Sequence, residues 1–406
     1  MPAGSLPVLK VAVEYGADAV YIGGEAFSLR AGAKNFSSED MKEGVEYAHA
    51  RGVKVYVTAN ILAHNADLEA AREYFSELGM IGPDALIISD PGIFDIARQV
   101  LPDMEIHIST QANNSNAGTY LFWHRLGAKR AVSARELSLE ELKQIRAAIP
   151  EDMEIETFVH GAMCISYSGR CLLSAYMTGR SANLGACTHP CRWKYHLVEE
   201  TRPGEYMPVE ENERGTYIFN SKDLCMIEHI PELIEAGIDS FKVEGRMKSA
   251  LYVATVARAY RMAIDDCLKD KELYQSRIGF YKTEIAKCTY REYTEGFFFG
   301  KPGETAQIYD ANTYVKDWVF LGITGTQSRT EGGRTYYRFE QKNKFSVGDE
   351  IEIMKPDGTN IIATVQGMTD DEGCAIESCP HPGQIFWADF GTGLQQWDMI
   401  RKNTGE

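Results

Sequence analysis

Along the first two thirds of the chain, short runs of β-branched and aromatic residues alternate with stretches in which apolar residues return every three or four positions. The runs are AVYIG (19–23), VKVYVT (53–58), ALIIS (85–89), EIHIS (105–109), KRAVSA (129–134), EIETFV (154–159) and SFKVEG (240–245). Each has the length and residue types of a strand, and the stretches between, such as 38–51 and 137–148, have the period of amphipathic helices. Strands alternating with helices predict a parallel sheet joined by right-handed crossovers. Two architectures meet that description, an open doubly wound sheet and a TIM-like (β/α)8 barrel. The barrel needs eight strands, and the chain opens with Met1, Pro2, Ala3, Gly4 and Ser5, then a helical pattern carrying Leu6, Leu9 and Val13. The predicted fold class is therefore α/β, a TIM-like barrel whose first strand is missing or very short. An incomplete barrel exposes strand edges that something must cover.

After the last of these strands, Val253, Val256, Ala257, Tyr260, Ala263, Ile264 and Cys267 share one helical face, which places Cys267 in a core. Near residue 300 the texture changes to alternating strands and glycine turns, in TYYRFEQ, DEIEIM with PDGTN, and NIIATVQG. That shift predicts two domains: a barrel over 1–300, with a cysteine-rich insertion at about 160–235 and C-terminal helices, and a small β-barrel over 305–406. No repeat of fixed period and no low-complexity tract interrupts either part.

With 406 residues, 44% hydrophobic and 25% charged, the chain has the composition of an ordinary folded protein. It holds no apolar run of membrane-spanning length, and its start lacks the layout of a secretory signal, so no membrane is expected and the expected location is cytoplasmic. A net charge of -16 restricts any polyanionic partner to a local basic patch, such as HRLGAKR at 124–130.

Nine cysteines in a chain with no export signal are a poor disulfide framework, because cytosolic thiols stay reduced. Five of them, Cys164, Cys171, Cys187, Cys191 and Cys225, fall in the glycine-rich segment between the sixth and seventh strand runs, on the side of a barrel where active sites are built. Four thiolates can hold an iron-sulfur cluster even when far apart in sequence. Zinc is the rival, with Cys187 and Cys191 as a short knuckle and His189 or His196 as further ligands. Unligated buried or redox thiols are the third reading. Cys288, Cys374 and Cys379 lie outside the segment and are expected to be structural.

Residues 156–174, ETFVHGAMCISYSGRCLLS, fit the signature E-x-F-x2-G-[SA]-hydrophobic-C-x4-G-x-C-x-hydrophobic-S at every specified position: Glu156, Phe158, Gly161, Ala162, Met163, Cys164, Gly169, Cys171, Leu173 and Ser174. This resembles the U-32 peptidase family, also called collagenase-like peptidases. PAGS (2–5), YGADAVYIGG with FSLRAGAKNFS (15–37), HISTQANNSN (107–116), CTHPCRW (187–193), NSKDLC (220–225) and FKVEGRMKS (241–249) extend the resemblance over at least residues 2–270. Within that family the chain resembles the proteins of prephenate-dependent transfer-RNA uridine hydroxylation, which make 5-hydroxyuridine at the wobble position. Others act on ribosomal RNA cytidine or on ubiquinone precursors. The resemblance implies a 4Fe-4S cluster, on Cys164, Cys171, Cys187 and Cys225 by position, with Cys191 the alternative to Cys187. It also implies prephenate as cosubstrate, tRNA as partner and a possible partner protein of the same family.

Prephenate carries two carboxylates, which an arginine fork matches. Arg246 and Lys248, just beyond the last strand, are the expected contacts, with Glu244 to orient Arg246 or act as acid or base. His160, four residues before Cys164, is a candidate proton relay or donor to cluster sulfur, against the plain reading of a buried, satisfied histidine. Gln111, Asn113 and Asn114, and Arg30 with Asn35, offer further recognition groups, against the alternative of helix capping. Tyr336, Tyr337 and Arg338, with Lys342 and Lys344, form a candidate RNA strip in the β-rich tail, where half-core strand aromatics are the alternative. Two functions of other classes compete: the protease of the family name, although no G-x-S-x-G or H-E-x-x-H is present, and a non-catalytic scaffold with a structural cluster.

Overall fold

The computed structural model describes residues 1–25, 27–28, 35–164, 171, 173–180, 182, 187–193, 197–198, 206–207, 211–212, 215–216, 221–300 and 314–405. The first half alternates as expected: α1 (Leu6–Glu14), β1 (Ala19–Gly23), α2 (Ser38–His49), β2 (Lys54–Ala59), α3 (Leu68–Ile81), β3 (Ala85–Ile88), α4 (Pro91–Val100) and β4 (Glu105–Ile108). It continues through α5 (Ala117–Arg125), β5 (Arg130–Val132), α6 (Leu139–Ala148) and the long β6 (Glu154–Ala162). The helices begin at polar caps that take up otherwise unpaired amides: Ser37 accepts from the Asp40 amide, Asp90 from those of Gly92 and Ile93, and Ser138 shares a reciprocal box with Glu141.

Beyond β6 the chain makes a long excursion that includes α7 (Leu173–Thr178) and two short hairpins, β7 (Leu197–Val198) with β8 (Tyr206–Met207) and β9 (Glu211–Asn212) with β10 (Gly215–Thr216). It returns as β11 (Asp223–Cys225), followed by α8 (Ile230–Glu235), β12 (Ser240–Val243), α9 (Ala250–Lys269), α10 (Lys271–Ile285) and β13 (Tyr293–Thr294). No described helix is long and apolar enough to cross a membrane.

All seven strand runs read from the sequence are strands, and β1 to β6 pair in parallel, each with the next, with β12 parallel to β6. The eighth position is held by a stub. Pro2 bridges Tyr21 in parallel, the Ala3 amide donates to the Tyr21 carbonyl, and the Tyr21 amide donates to Met1. The fold is thus the α/β, TIM-like barrel that the pattern predicts, with its first strand reduced to a few residues. Tyr21 reaches across to β12 by donating its hydroxyl to the Val243 carbonyl (2.8 Å).

Two strands of this sheet, β11 and β13, have no counterpart in the sequence reading. β11 runs antiparallel to the end of β6, pairing Asp223 with Ala162 and Cys225 with His160, while β12 pairs with the earlier part of the same strand across a bulge. Its other edge is covered by β13. A buried ion pair clamps it there, with Arg291 Nη2 2.6 Å from Asp223 Oδ1.

The C-terminal part is all-β. One antiparallel sheet orders β14 (Trp318–Ile323), β22 (Met399–Asn403), β17 (Glu350–Met354) and β18 (Asn360–Thr364). The other orders β15 (Ser328–Glu331), β16 (Arg334–Glu340), β21 (Ile385–Asp389), β19 (Gly367–Thr369) and β20 (Ala375–Ile376). Leu321, Phe339, Phe345, Ile353, Phe386 and Ile400 form their common core. The four-stranded sheet faces the barrel: Tyr15 of the loop after α1 donates to the carbonyls of Met354 and Trp397, and Arg258 of α9 to those of Lys355 and Thr359.

A polar mouth at the carboxyl ends of the barrel strands

Arg246 follows β12 and lies nearly buried over the end of β1. Its Nη1 donates to Ser28 Oγ (2.6 Å) and Thr58 Oγ1 (3.1 Å), and those two hydroxyls bond each other at 2.8 Å. Glycine at position 23 makes this possible, because a Cβ there would lie 2.1 Å from that same nitrogen. The guanidinium is thus held in one orientation by two strand ends, which is how a rigid anion fork is built.

On the next strands Gln111 accepts from Asn60 Nδ2 (2.9 Å), and Ser89 Oγ donates to the Asn60 carbonyl (3.0 Å). Gln111 is thus at the mouth. Asn114 is not a recognition group: fully buried, it donates to the carbonyls of Ser109 and Val132 and braces β4 against β5. Asn113 takes a left-handed turn (φ 56°) after the short helix Thr110–Ala112.

Glu244 lies 3.5 Å from Arg135. Arg135, absent from the candidates read in the sequence, donates to the Ala162 carbonyl and stacks 3.9 Å over the Phe158 ring. Lys248 sits over the rings of Tyr252 and Tyr314. Arg30 lies outside the described residues, and Asn35 is on the loop before α2.

Below the mouth the barrel bore is charged. Lys242 Nζ meets Glu156 Oε1 at 2.5 Å, Arg130 Nη1 meets its Oε2 at 3.0 Å, and Ser240 donates to the same carboxylate. Burial pushes the Glu156 carboxyl up, but Lys242 and Arg130 more than offset it and hold it well below the usual range. This places Arg130 inside the bore and not on a basic surface, while His124 and Lys129 both engage Asp152. The HRLGAKR stretch therefore offers His124, Arg125 and Lys129 to the surface, without Arg130.

His160 is not at the mouth. It is 1% exposed, wedged among the rings of Tyr252, Tyr260 and Tyr293 behind β6, and burial pushes its pKa down to about 4. These are the surroundings of a buried histidine, with Cys225 its register partner on β11.

All the cysteines are unbridged; Cys164 is exposed, and Cys171, Cys187, Cys191 and Cys225 are half-buried. Cys267, Cys288 and Cys379 are buried. Ser174 of α7 accepts from the Thr188 amide, which ties the start of that helix to the Cys187 loop, and the His189 amide points at Cys187 Sγ (3.4 Å). Among the described residues no three His, Cys, Asp or Glu side chains converge as metal ligands. The donor set nevertheless fits an iron-sulfur cluster in kind: four unbridged thiols on the excursion and a fifth, Cys225, on the strand where it returns, with a backbone N–H directed at a thiol sulfur.

Four positions of the 156–174 signature now have physical roles. Glu156 anchors the bore, Phe158 carries Arg135, and Ser174 ties α7 to the Cys187 loop. Gly161 turns the strand end at φ 109°, where a Cβ would meet the Glu244 carbonyl oxygen at 2.4 Å. Residues 4–308 match the Peptidase family U32, and 316–401 match the Peptidase family U32 C-terminal domain.

The chain belongs to peptidase family U32. Relatives within the family carry names drawn from RNA modification. The chain is 40% identical to tRNA hydroxylation protein P1 of Bacillus subtilis, over 99% of this chain and 93% of the relative. It is 40% identical to tRNA hydroxylation protein P of Escherichia coli, over 99% and 96%. Against the 23S rRNA 5-hydroxycytidine C2501 synthase of Escherichia coli the identity is 35%, over 77% of this U32 chain and 47% of that protein.

Proposed function

We propose that this U32 chain is an oxygen-independent tRNA hydroxylase that converts wobble uridine to 5-hydroxyuridine with prephenate as cosubstrate and a 4Fe-4S cluster as cofactor. The observation that carries the reading is the full-length likeness, at 40% identity, to proteins named for tRNA hydroxylation in two bacteria. The ligands are Cys164, Cys171, Cys187 and Cys225. Cys187 is preferred to Cys191 because the His189 amide already points at its sulfur. When bound, such a cluster supplies one-electron chemistry or an open iron position.

The protein's own part is to bind and orient. Arg246, fixed by Ser28 and Thr58, and Lys248 present positive charge where a dicarboxylate would enter. Arg135 adds a second guanidinium, and Glu244, its partner, is a positioning residue. Gln111, held by Asn60, offers an amide to the substrate.

The peptidase reading needs an activated nucleophile, and Cys225 and His160, register partners on β11 and β6, are tuned the other way. Burial raises the Cys225 thiol to about 11 and lowers His160 to about 4, opposite to a thiolate beside an imidazolium.

The test is base analysis of tRNA from a strain that lacks its own hydroxylation proteins and expresses this chain, with and without a block in prephenate synthesis. Recovery of 5-hydroxyuridine that depends on prephenate supports the reading. Unmodified tRNA despite soluble, iron-loaded protein would overturn it.

A further inference from the structure

The far face of the C-terminal domain carries a feature that the barrel mouth does not use. In β16 the register puts Phe339 in the core, so Arg334, Tyr336 and Arg338 point outward, while Tyr337 turns inward and its hydroxyl takes the Leu394 amide. On the neighbouring strands Arg329 stands opposite Tyr336, and Trp387 opposite Arg338. The Arg329 guanidinium lies 4.6 Å from the Trp387 ring centre and 6.0 Å from that of Tyr336. Trp387 is fixed at its edge by donating Nε1 to Asp371 (3.0 Å), which also lies 3.8 Å from Arg338. The barrel rests on the other, four-stranded sheet, so it does not cover this face.

We infer that the outer face of the five-stranded sheet is a docking surface for single-stranded RNA, centred on Trp387, Tyr336 and Arg329. Charge and ring chemistry select that occupant. Three arginines share one sheet face on a chain of net charge -16, and the acids beside them are each drawn to a cation: Glu331 to Arg329, Asp371 to Arg338 and Glu340, next on the same strand face, to Lys342. Aromatic rings with guanidinium planes beside them stack unpaired bases, while the outer arginines meet phosphate. Strand residues two apart on one face lie about 7 Å from each other, so Arg334, Tyr336 and Arg338 form a row along which a strand can lie. The inference deepens the tRNA reading above and rests on it for biological meaning, but the binding itself is measurable without the hydroxylation.

The experiment is fluorescence anisotropy of a labelled short hairpin RNA with a single-stranded loop, titrated with full-length protein at several salt concentrations. Arg334→Ala, Tyr336→Ala and Trp387→Leu are compared with wild type, each checked for an unchanged melting temperature. The expected result is about tenfold or greater weakening for Trp387→Leu, and a salt dependence flatter by about one unit for an Arg334→Ala variant. Wild-type protein that does not bind the hairpin, or well-folded variants that bind like wild type, would overturn the inference. A concentration-dependent dimer broken by the same variants, with RNA affinity unchanged, would also overturn it and give the face to a second copy. Loss of hydroxylation with binding intact would count against the proposed function alone.

Discussion

A methyl group at position 23 would fall 2.1 Å from Nη1 of Arg246 and 2.2 Å from Oγ of Ser28. Neither can retreat cheaply, because each is bonded to the other and to Thr58. Gly23→Ala is therefore expected to lower the 5-hydroxyuridine yield about tenfold or more by misplacing the guanidinium. Gly279→Ala, on α10 with open space around its Cβ position, is the control and should leave both yield and melting temperature essentially unchanged or raise stability slightly. Arg246→Lys keeps the charge but loses the planar fork. Its expected signature is a raised apparent KM for prephenate, which an in vitro assay across cosubstrate concentrations measures. These residues were partly legible. Arg246 and Gln111 stood out as polar residues after strands. Arg135 did not, since only the fold brings it over Phe158 and against Glu244.

At the scale of elements, the cysteine excursion separates two otherwise similar thiols. Anaerobic reconstitution should give a broad absorption band near about 400 nm with iron and sulfide bound. Replacement of Cys164, Cys171, Cys187 or Cys225 by alanine should abolish it, and replacement of Cys191 should not. A colourless protein holding one zinc would return the knuckle reading, and loss of the band in the Cys191 variant but not in the Cys187 variant would reassign the third ligand. The seven barrel strands were legible because their apolar runs and flanking turns are local signals. β11 was not, because three residues paired antiparallel to a distant strand leave no periodic trace. The charged bore did leave one: strands covered on both faces read as apolar runs, yet these runs carry Arg130, His107, Glu156 and Lys242. Arg130, Glu156 and Lys242 are paired inside the barrel, and His107, whose pKa burial lowers, hydrogen-bonds Glu105.

At the scale of the whole molecule, a buried ion cluster locks the two parts together. Glu284 of α10 bonds Arg258 of α9, Lys287 and Arg401 of β22, and Glu352 of β17 bonds Lys287 and Arg401. Burial works against the Glu284 carboxylate, but Arg401, Lys287 and Arg258 more than offset it and bring its pKa from 4.5 down to about 2. A depressed carboxylate stabilises the fold fully above its ordinary pKa and loses that contribution as pH falls from there toward the depressed value. Denaturation midpoints should therefore drop between about pH 4.5 and 2, and more shallowly in Glu284→Gln. At neutral pH that variant strands buried cations and should cost about 3–5 kcal/mol by chemical denaturation. The sequence showed the change of texture near residue 300 but not this lock, whose members are spread from Arg258 to Arg401.

The excursion has one further property. It leaves from Ala162 and re-enters at Asp223, and those two residues are paired neighbours on adjoining strands. The segment between them is thus inserted at one place in the sheet. An insertion of that kind can be exchanged for another, or trimmed to a tight turn, without rethreading the strands on either side. A single scaffold could thus be refitted for different substrates by grafting at one junction.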